Sequence, residues 1–119
     1  MTYGRIATFE TLRTASATGQ SGDWQNFVSV GSPLDHTARW FRLSNYTNKH
    51  VTFSFNGSEN HIRLANGESV QIDLCANKVR KDGFFLPAKT QIYVRRVGNA
   101  APTGVVVAEV LYAEGEGYY

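Results

Sequence analysis

One cysteine, Cys75, stands alone in the chain, so no intramolecular disulfide forms, and neither a zinc site built on two or more cysteines nor a CxxC redox pair is available. Stability must come from packing or from neighbouring chains. No uninterrupted apolar run near the start reaches signal-peptide length and no window approaches a membrane span; the reading is a protein made and folded in the cytosol, with no membrane partner. Neither sign of charge dominates, since 12 Lys and Arg against 10 Asp and Glu leave a net charge of +2. That is too slight for the basic footprint of sequence-independent nucleic-acid binding, and no direct nucleic-acid contact is expected. Helical periodicity is almost missing. So are the HExxH, HxH, GxSxG and GxxxxGK[ST] spacings that carry metal, serine-nucleophile and phosphate chemistry.

What is there is an apolar share of 42%, with 13% aromatic, over 119 residues, enough to drive folding and of a length for one domain rather than two. Apolar and polar residues alternate at period two in short runs separated by turn residues, the pattern of strands with one buried and one wet face. In the run 50–56, Val51, Phe53 and Phe55 share a face, and the run ends at Asn56-Gly57, a type I′ hairpin signal. Ile62 and Leu64 follow, then Asn66-Gly67, then Val70, Ile72 and Leu74, and the three runs together predict a meander. Upstream, 38–45 reads as a strand with Phe41 and Leu43 inward and Trp40 outward. Downstream, 90–96 places Ile92 and Val94 inward and Tyr93 outward. Two weaker runs, 3–9 and 26–30, flank residues 14–23, which are rich in Ser, Thr and Gly, contain no large apolar residue and read as a mobile loop. The expected fold is all-β: a single β-sandwich or jelly roll of about seven to eight short antiparallel strands. It spans residues 1–112, with 10–25 as a mobile loop within it and 113–119 as a flexible tail.

The run 104–112 differs because both its faces are apolar, Val105, Val107 and Leu111 on one, Val106, Ala108, Val110 and Tyr112 on the other. A small domain struggles to cover both, so the face of Val106, Ala108, Val110 and Tyr112 is a candidate subunit interface. The other reading is a central strand with the segment 3–9 folded over it. Tyr118 and Tyr119, which follow Glu114-Gly115-Glu116-Gly117, are candidate anchors on a neighbour. Lys78, Arg80 and Lys81, with Arg95 and Arg96 further on, form a candidate electrostatic contact, to be weighed against an ordinary solvated strand edge. His50 and His61 are placed to approach each other across a hairpin, as a surface polar pair without a third metal ligand. Cys75 reads as a small apolar filler. No catalytic residue, metal or cofactor is assigned. Asn45-Tyr46-Thr47 and Asn56-Gly57-Ser58 match the glycosylation sequon and, without a secretion signal, read as chance matches.

The order of the short motifs carries further information. Val30-Gly31-Ser32-Pro33-Leu34 is followed by Ala38-Arg39-Trp40-Phe41-Arg42-Leu43-Ser44-Asn45-Tyr46-Thr47, by Val51-Thr52-Phe53-Ser54-Phe55-Asn56-Gly57, by Phe84-Phe85-Leu86-Pro87 and by Ala101-Pro102-Thr103-Gly104. This succession, over residues 30–112, resembles small structural proteins of tailed bacteriophages. It departs from their pattern in having Asn56 where Asp is common and in lacking a Ser before Gly104. The resemblance implies a non-enzymatic virion component, similar to β-sandwich decoration or cement proteins on the capsid surface. Its partners would be the major capsid protein or other virion proteins, and it would form a homo-oligomer. A head–tail connector or tail component is the alternative. From another class, a soluble carbohydrate- or ligand-binding β-sandwich module is the rival, with Trp24, Trp40 and Tyr93 as stacking platforms on solvent-facing positions.

Overall fold

The alternating runs become strands in the computed structural model, which describes residues 6–73 and 86–114. Cys75, Lys78, Arg80, Lys81, Tyr118 and Tyr119 lie outside the described residues. The strands are β1 (Ile6–Phe9), β2 (Arg13–Thr18), β3 (Val28–Ser29), β4 (Ala38–Asn45), β5 (Val51–Ser54), β6 (Ile62–Leu64), β7 (Ser69–Asp73), β8 (Tyr93–Arg96) and β9 (Thr103–Glu114). One sheet runs β1-β9-β4-β7, with β2 pairing β9 beside β1, and the other runs β3-β8-β5-β6. β1 takes residues 111–114 of β9 and β2 takes residues 103–108, so the two share one edge and each sheet is four strands wide. Every pairing is antiparallel. Except at the β1–β2 and β5–β6 links, the chain changes sheet between successive strands, which is the jelly-roll form of a β-sandwich.

The register explains the core. On the first sheet, Phe41 faces Val110 and Leu43 faces Ala108 across β4 and β9, while Ile72 and Val70 continue the same rows on β7. The second sheet turns Val51, Phe53, Leu64 and Val94 toward them, and all four are buried. Phe53 is fully enclosed, where truncation to Ala typically costs about 3–5 kcal/mol.

Four expectations need correction. Residues 69–73 do not complete a meander: β5 and β6 form a hairpin, but the chain then crosses to pair β7 with β4. Period-two alternation gives each strand a wet and a dry face without saying which sheet it joins. Residues 13–18, read as part of a mobile loop, form β2. Its inward positions Ala15 and Ala17 face Val106 and Gly104, so small residues do here what large apolar ones do elsewhere. Asn56-Gly57 does not make a two-residue hairpin. Gly57 alone has a positive φ, 75°, whereas a type I′ turn needs two, and Asn56 Oδ1 instead accepts the Ser58 and Glu59 N–H groups at 2.9 and 3.0 Å. The domain limit also shifts, because β9 continues to Glu114.

Asn45 stands where the chain leaves the first sheet. Fully buried, it donates from Nδ2 to the carbonyls of Lys49, Leu64 and Ala65 at 2.8, 3.2 and 3.1 Å. Its Oδ1 accepts the Thr47 N–H at 2.9 Å and the Thr47 hydroxyl at 2.6 Å. The first half of the sequon match is therefore a packed structural knot. Gly104 passes close beside it with φ 128°, and a Cβ there would lie 2.7 Å from the Tyr46 carbonyl oxygen.

A second knot closes the other end. Arg13 points inward from β2 and is only 3% exposed. It donates to the carbonyls of Thr11, Ser32 and Pro33 and meets Glu10 Oε1 at 2.8 Å. Glu10 also accepts the N–H groups of Asp35 and His36 and contacts the His36 ring, Nδ1 to Oε2 2.9 Å. His36 in turn stacks on Tyr112, ring centroids 3.7 Å apart. Burial alone would push the Glu10 carboxyl up. The hydrogen bonds from Asp35 and His36, with the Arg13 charge, outweigh it and hold the pKa below the ordinary carboxylate value.

Two outcomes follow for stability. Asn45→Ala leaves the carbonyls of Lys49, Leu64 and Ala65 without their donor, so equilibrium denaturation should register a loss of about 3 kcal/mol or more. For Glu10, the unfolded chain binds the proton more readily than the folded one, so its contribution is present above the unfolded pKa and lost as pH falls through the folded value. Glu10→Gln should cost about 3–5 kcal/mol at neutral pH by leaving Arg13 without its buried counter-charge, and it should flatten the acid limb of a plot of stability against pH.

Candidate functional site

The face of β9 proposed for a partner is interior. Val106, Ala108 and Val110 are buried in the core, and Tyr112 is half-buried against His36. The reason is the second sheet, which covers this face within the same chain; the segment of β1 lies along the edge of β9 and not over it. Surface for a partner lies on the opposite face of the same strand.

There, cross-strand register lines up Phe9, Leu111 and Trp40 on β1, β9 and β4. A bulge between Ala38 and Trp40 turns Ala38 into the core and leaves Trp40 outside. Phe9 is 61% exposed and meets Trp40 edge to face, centroids 5.9 Å apart. Leu12, 55% exposed, precedes β2 on the same side, and half-buried Val105 and Val107 extend the apolar surface along β9. Within this surface Arg42 Nε binds Glu109 Oε1 at 2.6 Å, cross-strand. The hydrogen bond and charge of Glu109 push the Arg42 pKa further up, so the pair sits as a neutral unit amid apolar neighbours. The alternation of β9 was enough to reveal this face; the error lay in choosing which of two apolar faces turned out.

The second sheet carries a different surface. Thr52 on β5 faces Arg63 on β6 and Arg95 on β8. Together with Arg96, His61 and Asn99 these line a groove of ≈ 510 Å³. Arg95 lies over the Phe27 ring, 4.7 Å to its centroid, and Arg96 donates to the Ser21 and Asp23 carbonyls. Among the described residues no carboxylate pairs with Arg63 or Arg95, and Glu59 lies 3.8 Å from His61 Nε2. Of the basic residues singled out in the sequence, then, Arg95 and Arg96 come together. Arg63 was missed, although its register opposite Thr52 follows from the β5–β6 hairpin.

The other candidates disperse. His61 accepts the Phe55 N–H at 3.0 Å and lies across from the Ser54 end of β5, whereas His50 sits beyond the Val51 end, so the two do not pair. The three proposed stacking aromatics share no platform. Trp24 is buried with φ 58°, a conformation that turns it into the core; Trp40 lies on the first sheet and Tyr93 on the second, beside Phe27. Among the described residues no group of three His, Cys, Asp or Glu side chains is placed to hold a metal ion.

No protein-family model matches the chain, and no curated protein matches it. A solved chain from Bacillus endospore appendages, described as a novel family of disulfide-linked pili, aligns over 97% of this chain and 95% of its own, with 12% sequence identity and a TM-score of 0.42.

Exposed side chains contribute little to the folding of their own domain. The double variant Phe9→Ser with Leu12→Ser should therefore unfold in denaturant within about 1 kcal/mol of the parent, while binding of a hydrophobic dye to the native protein falls. A large loss of stability would mean that these residues serve intramolecular packing.

Proposed function

We propose that this chain is a non-enzymatic structural subunit of a tailed-bacteriophage virion, acting as a decoration protein that binds and stabilises the head shell. The observation that carries the reading is the outward apolar face of Phe9, Leu12, Trp40 and Leu111, rimmed by polar residues on a rigid sheet. Contiguous apolar surface on a soluble domain marks a place where another molecule sits. The resemblance of the motif succession across residues 30–112 to small tailed-phage structural proteins supports a virion protein as that molecule, with the major capsid protein first among them. Many weak contacts of this kind, repeated over neighbouring capsomers, add through multivalency.

Undecorated heads of the encoding phage, mixed with purified protein and sedimented, should carry it into the pellet at saturating ratio, and the Phe9→Ser, Leu12→Ser variant should stay in the supernatant. Stained gels of purified virions should show on the order of hundreds of copies, and a copy number of about a dozen or fewer would place the protein in a connector or tail ring instead. Absence from purified virions sinks the reading altogether.

A further inference from the structure

The arginine groove of the second sheet remains without a role after the apolar face is assigned to attachment. We propose that it is a binding site for a small phosphorylated sugar, whose phosphate is held by Arg63, Arg95 and Thr52. The proposal stands on the groove alone and does not depend on what the apolar face binds.

The floor of the groove points to an occupant. Thr52 alternates with Val51 and Phe53, whose side chains fill the core, so its own side chain lies on the outer face of β5. It is nonetheless only 5% exposed, flanked by Arg63 on β6 and Arg95 on β8. Among the described residues its hydroxyl has no hydrogen-bond partner, yet its oxygen is not sealed from solvent, so it opens into the groove that it lines. A polar group this enclosed ordinarily finds a partner, and the groove is the direction from which one can come.

The donors around Thr52 suit an anion. Arg63 and Arg95 stand on the strands either side of β5, about 10 Å apart at their backbones, and among the described residues neither makes a side-chain hydrogen bond or an ion pair. Phe27 steadies Arg95, with its ring centroid 4.7 Å from the guanidinium carbon, and offers it no oxygen acceptor. Arg96 adds its charge to the lining while donating to the Ser21 and Asp23 carbonyls. His61 accepts the Phe55 N–H at Nδ1, which leaves the proton of a neutral ring on Nε2, a further donor. Glu59, its side chain 74% exposed, approaches this Nε2 at 3.8 Å and leaves the two free arginines untouched.

Two guanidinium charges and a hydroxyl, supplied by three neighbouring strands, match a phosphate monoester, which carries close to two negative charges at neutral pH and three acceptor oxygens. A carboxylate has a single charge and two oxygens in one plane, which one guanidinium fork satisfies, so the second arginine would stay unused. The rest of the lining indicates what carries the phosphate. Gln25, Asn60 and Asn99 present side-chain amides, each able to donate and to accept, the complement of sugar hydroxyls. No Phe, Tyr or Trp ring belongs to the lining, and Phe27 is taken by Arg95, so a nucleotide base has no platform on which to stack. The volume of ≈ 510 Å³ lies within the range of small-molecule sites.

Nuclear magnetic resonance titration of the isotope-labelled full chain with glucose-6-phosphate, inorganic phosphate and glucose, at matched ionic strength, tests this directly. Glucose-6-phosphate should bind saturably and shift the backbone amide signals of Thr52, Arg63 and Arg95. Inorganic phosphate should move the same signals with weaker affinity, and glucose should leave them in place. Arg63→Gln with Arg95→Gln should weaken the sugar phosphate about tenfold or more, and Thr52→Val, which keeps the buried shape and removes the hydroxyl, should weaken it about tenfold. Thr52→Ser should restore most of the affinity, and Phe9→Ser should leave it unchanged. Because the Thr52 hydroxyl has no partner to lose inside the chain, Thr52→Val should unfold at no lower denaturant concentration than the parent. Absence of saturable shifts, binding indifferent to the arginines and Thr52, or inorganic phosphate bound as tightly as the sugar phosphate would each overturn the assignment. So would tighter binding of a short oligothymidylate at equal phosphate concentration, which would make the groove a nucleic-acid surface.

Discussion

Two of the links by which the chain crosses between the sheets, β4 to β5 and β6 to β7, are tied together by the buried Asn45 side chain. It ties the end of β4 to the turn before β5 and to the residues just after β6, so one amide fixes the places where the chain leaves the first sheet and where it comes back. A buried amide earns its position only when its donors and acceptor are satisfied, and here both are. Gly104 shows how tight the corner is: its backbone enters β9 so close to residues 46 and 47 that no side chain fits. At the far end Arg13 and Glu10 do the equivalent work with charge, binding the 32–36 segment to the edge of the first sheet. Between the two polar knots the interior is aliphatic and aromatic, so the knots set the alignment of the sheets and the apolar core supplies the driving force.

How far the sequence foretold this differs by level. The strands of 38–45, 51–54, 62–64 and 93–96 were legible because large residues alternate there with polar ones. β2 was not, since Ala15 and Ala17 are too small to register as a buried face, although they line the core opposite Val106 and Gly104. The crossing of β7 to the first sheet was invisible to periodicity, because alternation is a property of one strand and partnership a property of two. The sequon at Asn45 was read as a chance match, but the structural role of Asn45 was not legible, since only its surroundings show that its amide is sealed inside. Trp24 misled because it lies in a turn between strand runs, where no alternation says which way a side chain faces, and it is buried with a positive φ of 58°.

The surfaces follow the same logic. On β9, two apolar faces were evident, and nothing local says which one the second sheet will cover. The answer comes from β4, whose Phe41 and Leu43 must share a face with Ala108 and Val110. Once those are inside, Leu111, Val105 and Val107 have to be outside, with Phe9 and Trp40 beside Leu111. Arg63 belonged to the same chain of deduction, because pairing Phe53 with Ile62 necessarily places it next to Thr52 on the outer face.

The two outer faces lie on opposite sheets and differ in kind, one apolar with the Arg42–Glu109 pair neutralised in place, the other lined by arginines of which Arg63 and Arg95 have no carboxylate partner among the described residues. Apolar contact is not screened by salt, whereas contact through exposed arginines weakens as ionic strength rises. A subunit held by the first sheet keeps the second free, and the exit of β9 lies at the end remote from the groove. On the proposed reading, attachment through the first sheet would leave the cationic face of the second sheet exposed and subject to different conditions. In a shell bearing many copies, as the proposed reading has it, any lateral contact would raise the effective concentration of each subunit at its own attachment point, and a modest apolar patch would then suffice without any one contact having to be strong.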